Sequence, residues 1–375
     1  MASLPPTPTL SLPPAPDRPG PRELTAHEHA AEALLTHDES LAAAAAERWL
    51  AGWDELGPDE AQRMRLQLVV DGREHLAQLA SAVLTDRAAL FADYLEWRAS
   101  RYGVLDLSPA DEHAYLEVLG HTIEEHLPAS IVPPAADVLE RGLRRLRHPG
   151  SSPASFLATD TALAHTAARY LDALLAGEQP EALALVRRAV AEGTSSRQLY
   201  LEVFQPVLHE VGRLWQLGRA TVSQEHEVTQ TTQRAMAEVA ARHDLGRSPG
   251  APRVVIACVG GEQHELGARM VHDLFELDGW QTHFLGADCP PVDLADLAVR
   301  RGADLVAVSA TRSVHLDRVR GVVTAVRERS NVPILVGGRP FNLVDDLWRQ
   351  VGADGTAPDA ERAVEVATLL VAQAA

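Results

Sequence analysis

The sequence predicts a multidomain chain in which an N-terminal all-α module and a four-helix bundle precede an α/β domain built on a parallel sheet. Three observations carry this. Apolar residues recur at three- and four-residue spacing as far as about residue 243, the pattern of amphipathic helices. From Arg253 the period changes, and β-branched runs alternate with helical segments. Two stretches rich in Pro, Gly and Ser, "RHPGSSPAS" (Arg147 to Ser155) and "LGRSPGAP" (ending at Pro252), separate the parts as linkers.

Residues 1–22 read as a disordered, partly polyproline-like tail, since proline runs throughout and no basic leader of a signal peptide is present. Residues 23–150 form the helical module, with "MRLQLVVDGREHLAQLASAVL" and "LFADYLEWRASRYGVL" in helical period and breaks at "LGPDE", "LSPADE" and "LPASIVPPA". Residues 155–245 form about four helices, turning at "AGEQP", "AEGTSS" and "LGRATVS". Residues 252–375 hold the sheet. "RVVIACV", "QTHFLGA", "DLVAVSA" and "VPILVGG" are buried parallel strands by composition, with crossover helices between them. A fifth strand near "ADGTA" and a helix from Ala360 to Ala372 complete a doubly wound unit.

Composition excludes several function classes. The net charge of −18 leaves no basic face for phosphates, and the densest basic stretch, "RGLRRLRH" (Arg141 to His148), reads as the solvated side of a helix, so no nucleic-acid partner is expected. The chain has no lysine, which removes Schiff-base chemistry and the P-loop lysine. Two cysteines, Cys258 and Cys289, are too few for a disulfide framework or a thiolate zinc site and fit a reducing cytoplasm. No apolar run reaches membrane-spanning length, so no membrane partner is expected either.

The loop after the first strand reads "GGEQHELG", Gly260 to Gly267. In a doubly wound sheet, ligands sit beyond the carboxyl ends of the strands, where this loop lies. A neutral imidazole is a good ligand for a borderline transition metal, and a carboxylate on its other nitrogen fixes the tautomer. Glu262 and His264 have the spacing for that pair, and Gly267 leaves the helix start clear for a bulky ligand. Taken alone, the same residues also describe a capped helix start with a solvent-facing histidine. "SAT" (Ser309 to Thr311) ends the third strand and "GGR" (Gly337 to Arg339) the fourth, which would line a channel beside the sheet.

On these three motifs the region from Arg253 to Ala372 resembles the cobalamin-binding, Rossmann-like (flavodoxin-like) domain. The resemblance implies that His264 is the lower cobalt ligand of a base-off/His-on cofactor and Glu262 its orienting partner. It also implies that Ser309 and Thr311 contact the nucleotide tail and that Gly337 and Gly338 leave room for it. Glu262 stands where that family usually has Asp.

Ahead of the sheet, "LWQLGRATVSQEHE" sets Trp215 and the pair Glu225 and His226 nine intervening residues apart. The spacing looks like the upper-face motif of CarH-type adenosylcobalamin light receptors, which implies that the bundle caps adenosylcobalamin and that Trp215 and Glu225 hold the adenosyl group. Those receptors have a histidine after the tryptophan; here it is Gln216, leaving His226, His209 or water for the lit state. The layout is similar to the photocobilins, which implies biliverdin as a second chromophore in residues 23–150. Tyr94, Trp97, Arg98 and Arg101 share one helical face by spacing: rings to stack on a flat tetrapyrrole and guanidiniums for its propionates. An ordinary helix with an aromatic seam, or a haem site using histidines 75, 113, 121 or 126, fits the same region.

The expected function is therefore a non-catalytic, cytoplasmic light sensor. It would bind adenosylcobalamin, and biliverdin, and answer cobalt–carbon photolysis by a change of conformation or of association as a homo-oligomer with an unknown effector. The alternative is a corrinoid methyl-carrier protein of a methyltransferase system.

Overall fold

In the computed structural model the described residues are 24–53, 56–102, 108–146, 154–157, 161–242 and 250–374. The Pro-rich tail and the cores of both linkers lie outside them. The first helix, α1 (Ala26–Thr36), is set by a capping box: the Thr25 hydroxyl accepts from the Glu28 amide and the Glu28 carboxylate from that of Thr25. It is followed by α2 (Asp38–Leu50), the long α3 (Pro58–Leu84), α4 (Ala88–Ala99), α5 (Pro109–His126) and α6 (Val132–Leu146). These helices close around Leu34, Leu41, Leu76, Leu79, Phe91 and Leu116, all essentially inaccessible to solvent. The arginines of α6 are exposed and paired, Arg141 with Asp137 and Arg144 with Glu140, as a solvated helix side requires.

The bundle comprises α7 (Ala164–Leu175), α8 (Gln179–Ala191), the short α9 (Ser196–Leu199), α10 (Gln205–Gln216) and α11 (Val222–Ala240). A π turn over Tyr200–Phe204 joins α9 to α10 just before Pro206, a residue that has no amide proton for the helical ladder.

The last unit alternates strand and helix: β1 (Arg253–Cys258), α12 (Leu266–Leu277), β2 (Gln281–Phe284), α13 (Pro291–Arg301), β3 (Leu305–Ser309), α14 (Leu316–Arg329), β4 (Ile334–Gly337), the short α15 (Arg339–Leu343) and α16 (Leu347–Gln350), β5 (Gly355–Thr356) and α17 (Ala360–Ala374). All strand pairs are parallel, in the order β2-β1-β3-β4-β5, the flavodoxin-like order with its switch point between β1 and β3. Register places Cys258, Ser309 and Gly337 level at the carboxyl edge. The edge strand β2 is only half-buried, because it has a neighbour on one side only.

Alternation along β1 divides the molecule. Val255, Ala257 and Val259 belong to one apolar core with α13, α14 and the N-terminal module, whereas Val254, Ile256 and Cys258 belong to another with α12, α17 and the bundle. The sheet therefore has a helical module over each face. Ion pairs rim the N-terminal contact: Glu28 with Arg320, Glu74 with Arg312, Asp93 with Arg339 and Arg87 with Asp346. Partly exposed pairs of this kind are worth about 0–1 kcal/mol each, so the shared apolar core does most of the holding. Among the described residues no helix is long and apolar enough to cross a membrane.

Candidate cofactor site

The loop after β1 turns on Gly261, whose φ of +79° suits glycine. It is pinned from the next loop: the Gly261 amide donates to Asp288 Oδ1 at 2.6 Å, and the Asp288 amide to the Glu262 carbonyl at 3.1 Å. The Glu262 carboxylate is thereby carried fully inside. Its Oε1 accepts from the His264 amide at 2.9 Å and from His264 Nδ1 at 2.5 Å; its Oε2 accepts from the Thr311 amide at 2.7 Å and from His315 Nδ1 at 3.0 Å. Burial alone would raise its pKa, but the two imidazoles and two amides outweigh it and hold the group well below the usual carboxylate range.

His264 is the exposed end of this arrangement, with 64% of its side chain open to solvent. The hydrogen bond to Glu262 raises its pKa, and the Glu225 carboxylate adds to that through space, so the first turn of α11 lies within electrostatic reach of the loop. Because Nδ1–H donates to an anion, Nε2 is the nitrogen with the free lone pair. A Cβ added at Gly267 would meet nothing within 4 Å. One tautomer-fixed imidazole, an outward lone pair and an open helix start fit the lower ligand of a corrinoid cobalt.

Other motif residues have specific places. Ser309 is half-buried at the carboxyl edge between Cys258 and Gly337. Thr311 spends its amide on Glu262. Gly337 leaves space, with the nearest atom to an added Cβ at 3.9 Å. Gly338 differs: its φ is +119° and an added Cβ would lie 2.0 Å from the Ala310 carbonyl oxygen. The second glycine is thus required by strand packing as well.

In the bundle, Trp215 stands near the end of α10 and Glu225 in the first turn of α11, as the motif required. Glu225 accepts from the Thr229 hydroxyl at 2.7 Å and His226 is exposed. Gln216 donates to the Ser100 hydroxyl at 2.5 Å, joining the bundle to α4. His209 packs on Phe156, with ring centroids 5.1 Å apart, and burial followed by the nearby Arg339 lowers its pKa.

The expected tetrapyrrole face on α4 is corrected by the structure. Tyr94 is buried and its hydroxyl meets His75 Nδ1 at 3.0 Å. Arg98 is buried and paired with Glu112 and Asp71, because an interior guanidinium needs carboxylate partners; it has no free charge for a propionate. Only Trp97 and Arg101 remain at the surface of the module, and both meet the bundle: the Trp97 and Trp215 rings lie 6.3 Å apart, and the Arg101 guanidinium stands over both. Arg101 Nε and the Tyr102 hydroxyl are buried with no hydrogen-bond partner among the described residues. His75, its Nε2 without a hydrogen bond but 3.5 Å from Glu112 Oε1, is wholly enclosed among the described residues, and its pKa is pushed down by burial.

Sequence reasoning missed His315, on the 3-10 turn Ser313–His315, and the contact between Arg101 and Trp215. A histidine four residues after Thr311 was the only local sign of the first, and the second had none.

Two family models, each described as a B12 binding domain, match residues 252–366 and residues 166–239. Dimethylamine corrinoid protein 3 of Methanosarcina acetivorans is 25% identical over 53% of this chain and 94% of its own length. The dimethylamine corrinoid protein of Methanosarcina barkeri is 27% identical over 54% and 95%. The HTH-type transcriptional repressor CarA of Myxococcus xanthus is 30% identical over 36% of this chain and 44% of its own length. The chain is a corrinoid-binding protein.

Proposed function

From the corrinoid-binding character of the chain we propose that it is a light receptor that holds adenosylcobalamin between His264 below and Trp215 with Glu225 above. The observation that carries this is the joint between Trp215 and the N-terminal module. The bundle's tryptophan is covered by Trp97 and Arg101, and its neighbour Gln216 is tied to Ser100, so a displacement of the bundle would be felt directly by α4. When bound, the corrinoid supplies a photolabile cobalt–carbon bond. The chain's own part is to hold His264 in one tautomer through Glu262, to cover the upper face, and to pass a change in that cover to the N-terminal helices. Light-dependent association of copies of the chain, and an effector that reads it, complete the proposal.

The test is to load the protein with adenosylcobalamin in darkness, illuminate it, and follow absorbance and size-exclusion elution. The proposal expects a stable new spectrum together with a change in elution volume. Photolysis with unchanged elution, or no adenosylcobalamin binding, would remove the receptor reading.

A second reading, a corrinoid carrier in methyl transfer, is supported by the two dimethylamine corrinoid proteins, which align over nearly their whole length. A carrier predicts tight methylcobalamin binding, loss of the methyl group to a suitable methyltransferase, and an elution volume that illumination leaves unchanged.

Biliverdin as second chromophore is proposed at the junction of α4 and the bundle rather than inside α4's buried face. Arg101 Nε and the Tyr102 hydroxyl, without a hydrogen-bond partner among the described residues, support it, since a propionate or a lactam carbonyl would satisfy both. Biliverdin added to protein already loaded with adenosylcobalamin should give a red-absorbing complex that survives gel filtration. Arg101→Ala should weaken that complex, and unaltered binding in this variant would exclude the junction.

A further inference from the structure

Glu262 is shared by two histidines with opposite surroundings. His264 is open to solvent, while His315 is almost fully enclosed and donates to the other carboxylate oxygen. With two donors on each oxygen, the four lone-pair directions of the carboxylate are filled. Each donor drains acceptor strength from the rest, so His315 draws on the same charge that polarises His264. The turn that carries His315 is held from another module: Ser313 Oγ donates to Gln78 Oε1 at 2.7 Å and Arg312 Nη2 to Glu74 Oε1 at 2.5 Å, both partners on α3.

We propose that His315 is a positioning residue for the lower ligand: it orients the Glu262 carboxylate, limits how strongly that group pulls on His264 Nδ1–H, and is itself placed by α3 of the N-terminal module. A hydrogen-bonded path then runs from Glu74 and Gln78 through Arg312 and Ser313 to His315, Glu262 and His264. Metal-binding imidazoles are tuned by what their second nitrogen meets, so a shift of α3 would alter the donor strength of His264 Nε2 without contact between α3 and the cofactor. This rests on reading His264 as the cobalt ligand, but the decisive measurement needs no cofactor.

In cofactor-free, nitrogen-15-labelled protein, the Nδ1–H resonance of His264, identified by its loss in His264→Gln, reports the strength of its bond to Glu262. His315→Phe removes the donor and keeps the volume filled, and should move that resonance downfield. His315→Asn supplies an amide donor and should return it toward the wild-type position, which a general packing defect would not do. The double variant Glu74→Ala/Gln78→Ala, at the partly exposed and the buried partner on α3, should produce a smaller shift in the same direction. An unmoved resonance in His315→Phe, or no recovery in His315→Asn, overturns the proposal; if the Phe variant does not fold, an unmoved resonance in the double variant overturns it. A wild-type corrinoid spectrum in loaded His264→Ala would instead overturn the ligand assignment and leave the resonance shifts standing.

Discussion

The Arg101 guanidinium lies 4.1 Å from the ring centroid of Trp215 and 5.3 Å from that of Trp97, so one cation is held by indoles of two modules. Such contacts are worth about 0.5–2 kcal/mol, the larger values where water is excluded. Arg101→Ala should therefore loosen the N-terminal module from the bundle, read as faster limited proteolysis between them and a red shift of tryptophan emission. An unchanged cleavage rate would show that the apolar core which the module shares with the sheet alone sets its position.

His264→Ala should lower corrinoid retention and convert the bound cofactor's spectrum to a base-on or water-ligated form. Glu262→Gln preserves shape but removes the anion that fixes the imidazole, and losses of such supporting groups cost roughly 10–100-fold in metal affinity. Equilibrium dialysis with absorbance detection measures both. Full retention with an unshifted spectrum in His264→Ala would refute the ligand assignment.

Trp215→Ala/Glu225→Ala should reduce the preference for adenosylcobalamin over methylcobalamin while leaving corrin binding largely intact. Competition binding decides it. A preference equal to the wild type's would favour the carrier reading.

Gly338→Ala should destabilise the α/β domain by about 1–3 kcal/mol, since it adds strain at a positive φ to a clash with the Ala310 carbonyl. Urea unfolding would show it. Gly337→Ala, with its nearest neighbour at 3.9 Å, should be far milder in stability and reveal any effect on cofactor entry.

The Glu28 carboxyl is held down to about 2 by the Thr25 amide and by Arg320, from an ordinary 4.5. A depressed carboxylate contributes stability that is full above its unfolded value and is lost as pH falls toward the folded one. Glu28→Gln should therefore melt below the wild type at neutral pH, with the gap closing between about pH 4.5 and pH 2. A gap independent of pH would mean that capping, rather than charge, accounts for the loss.

Much of this was legible in the residues themselves. The strands and crossover helices after Arg253 were readable because hydrophobic period and turn residues are local signals, and the doubly wound reading followed from their alternation. The pairing of Glu262 with His264 was readable for the same reason, the two being separated by a single residue. Arg98 was misread as a free charge because its partners, Asp71 and Glu112, lie 27 and 14 residues away on other helices.

The sequence by itself determined the order of elements, the corrinoid motif and the residue that faces outward from it, since these depend on spacing along one strand, loop or helix. Only the tertiary structure decided that His315 shares Glu262 across 53 residues, that Gln216 reaches Ser100, and that Arg101 bridges two tryptophans. Those contacts arise where modules that bury apolar faces on the two sides of one sheet come within reach of each other. Hydrophobic burial that brings such faces together is not directional, so no pattern within a single segment specifies which polar groups it will set side by side.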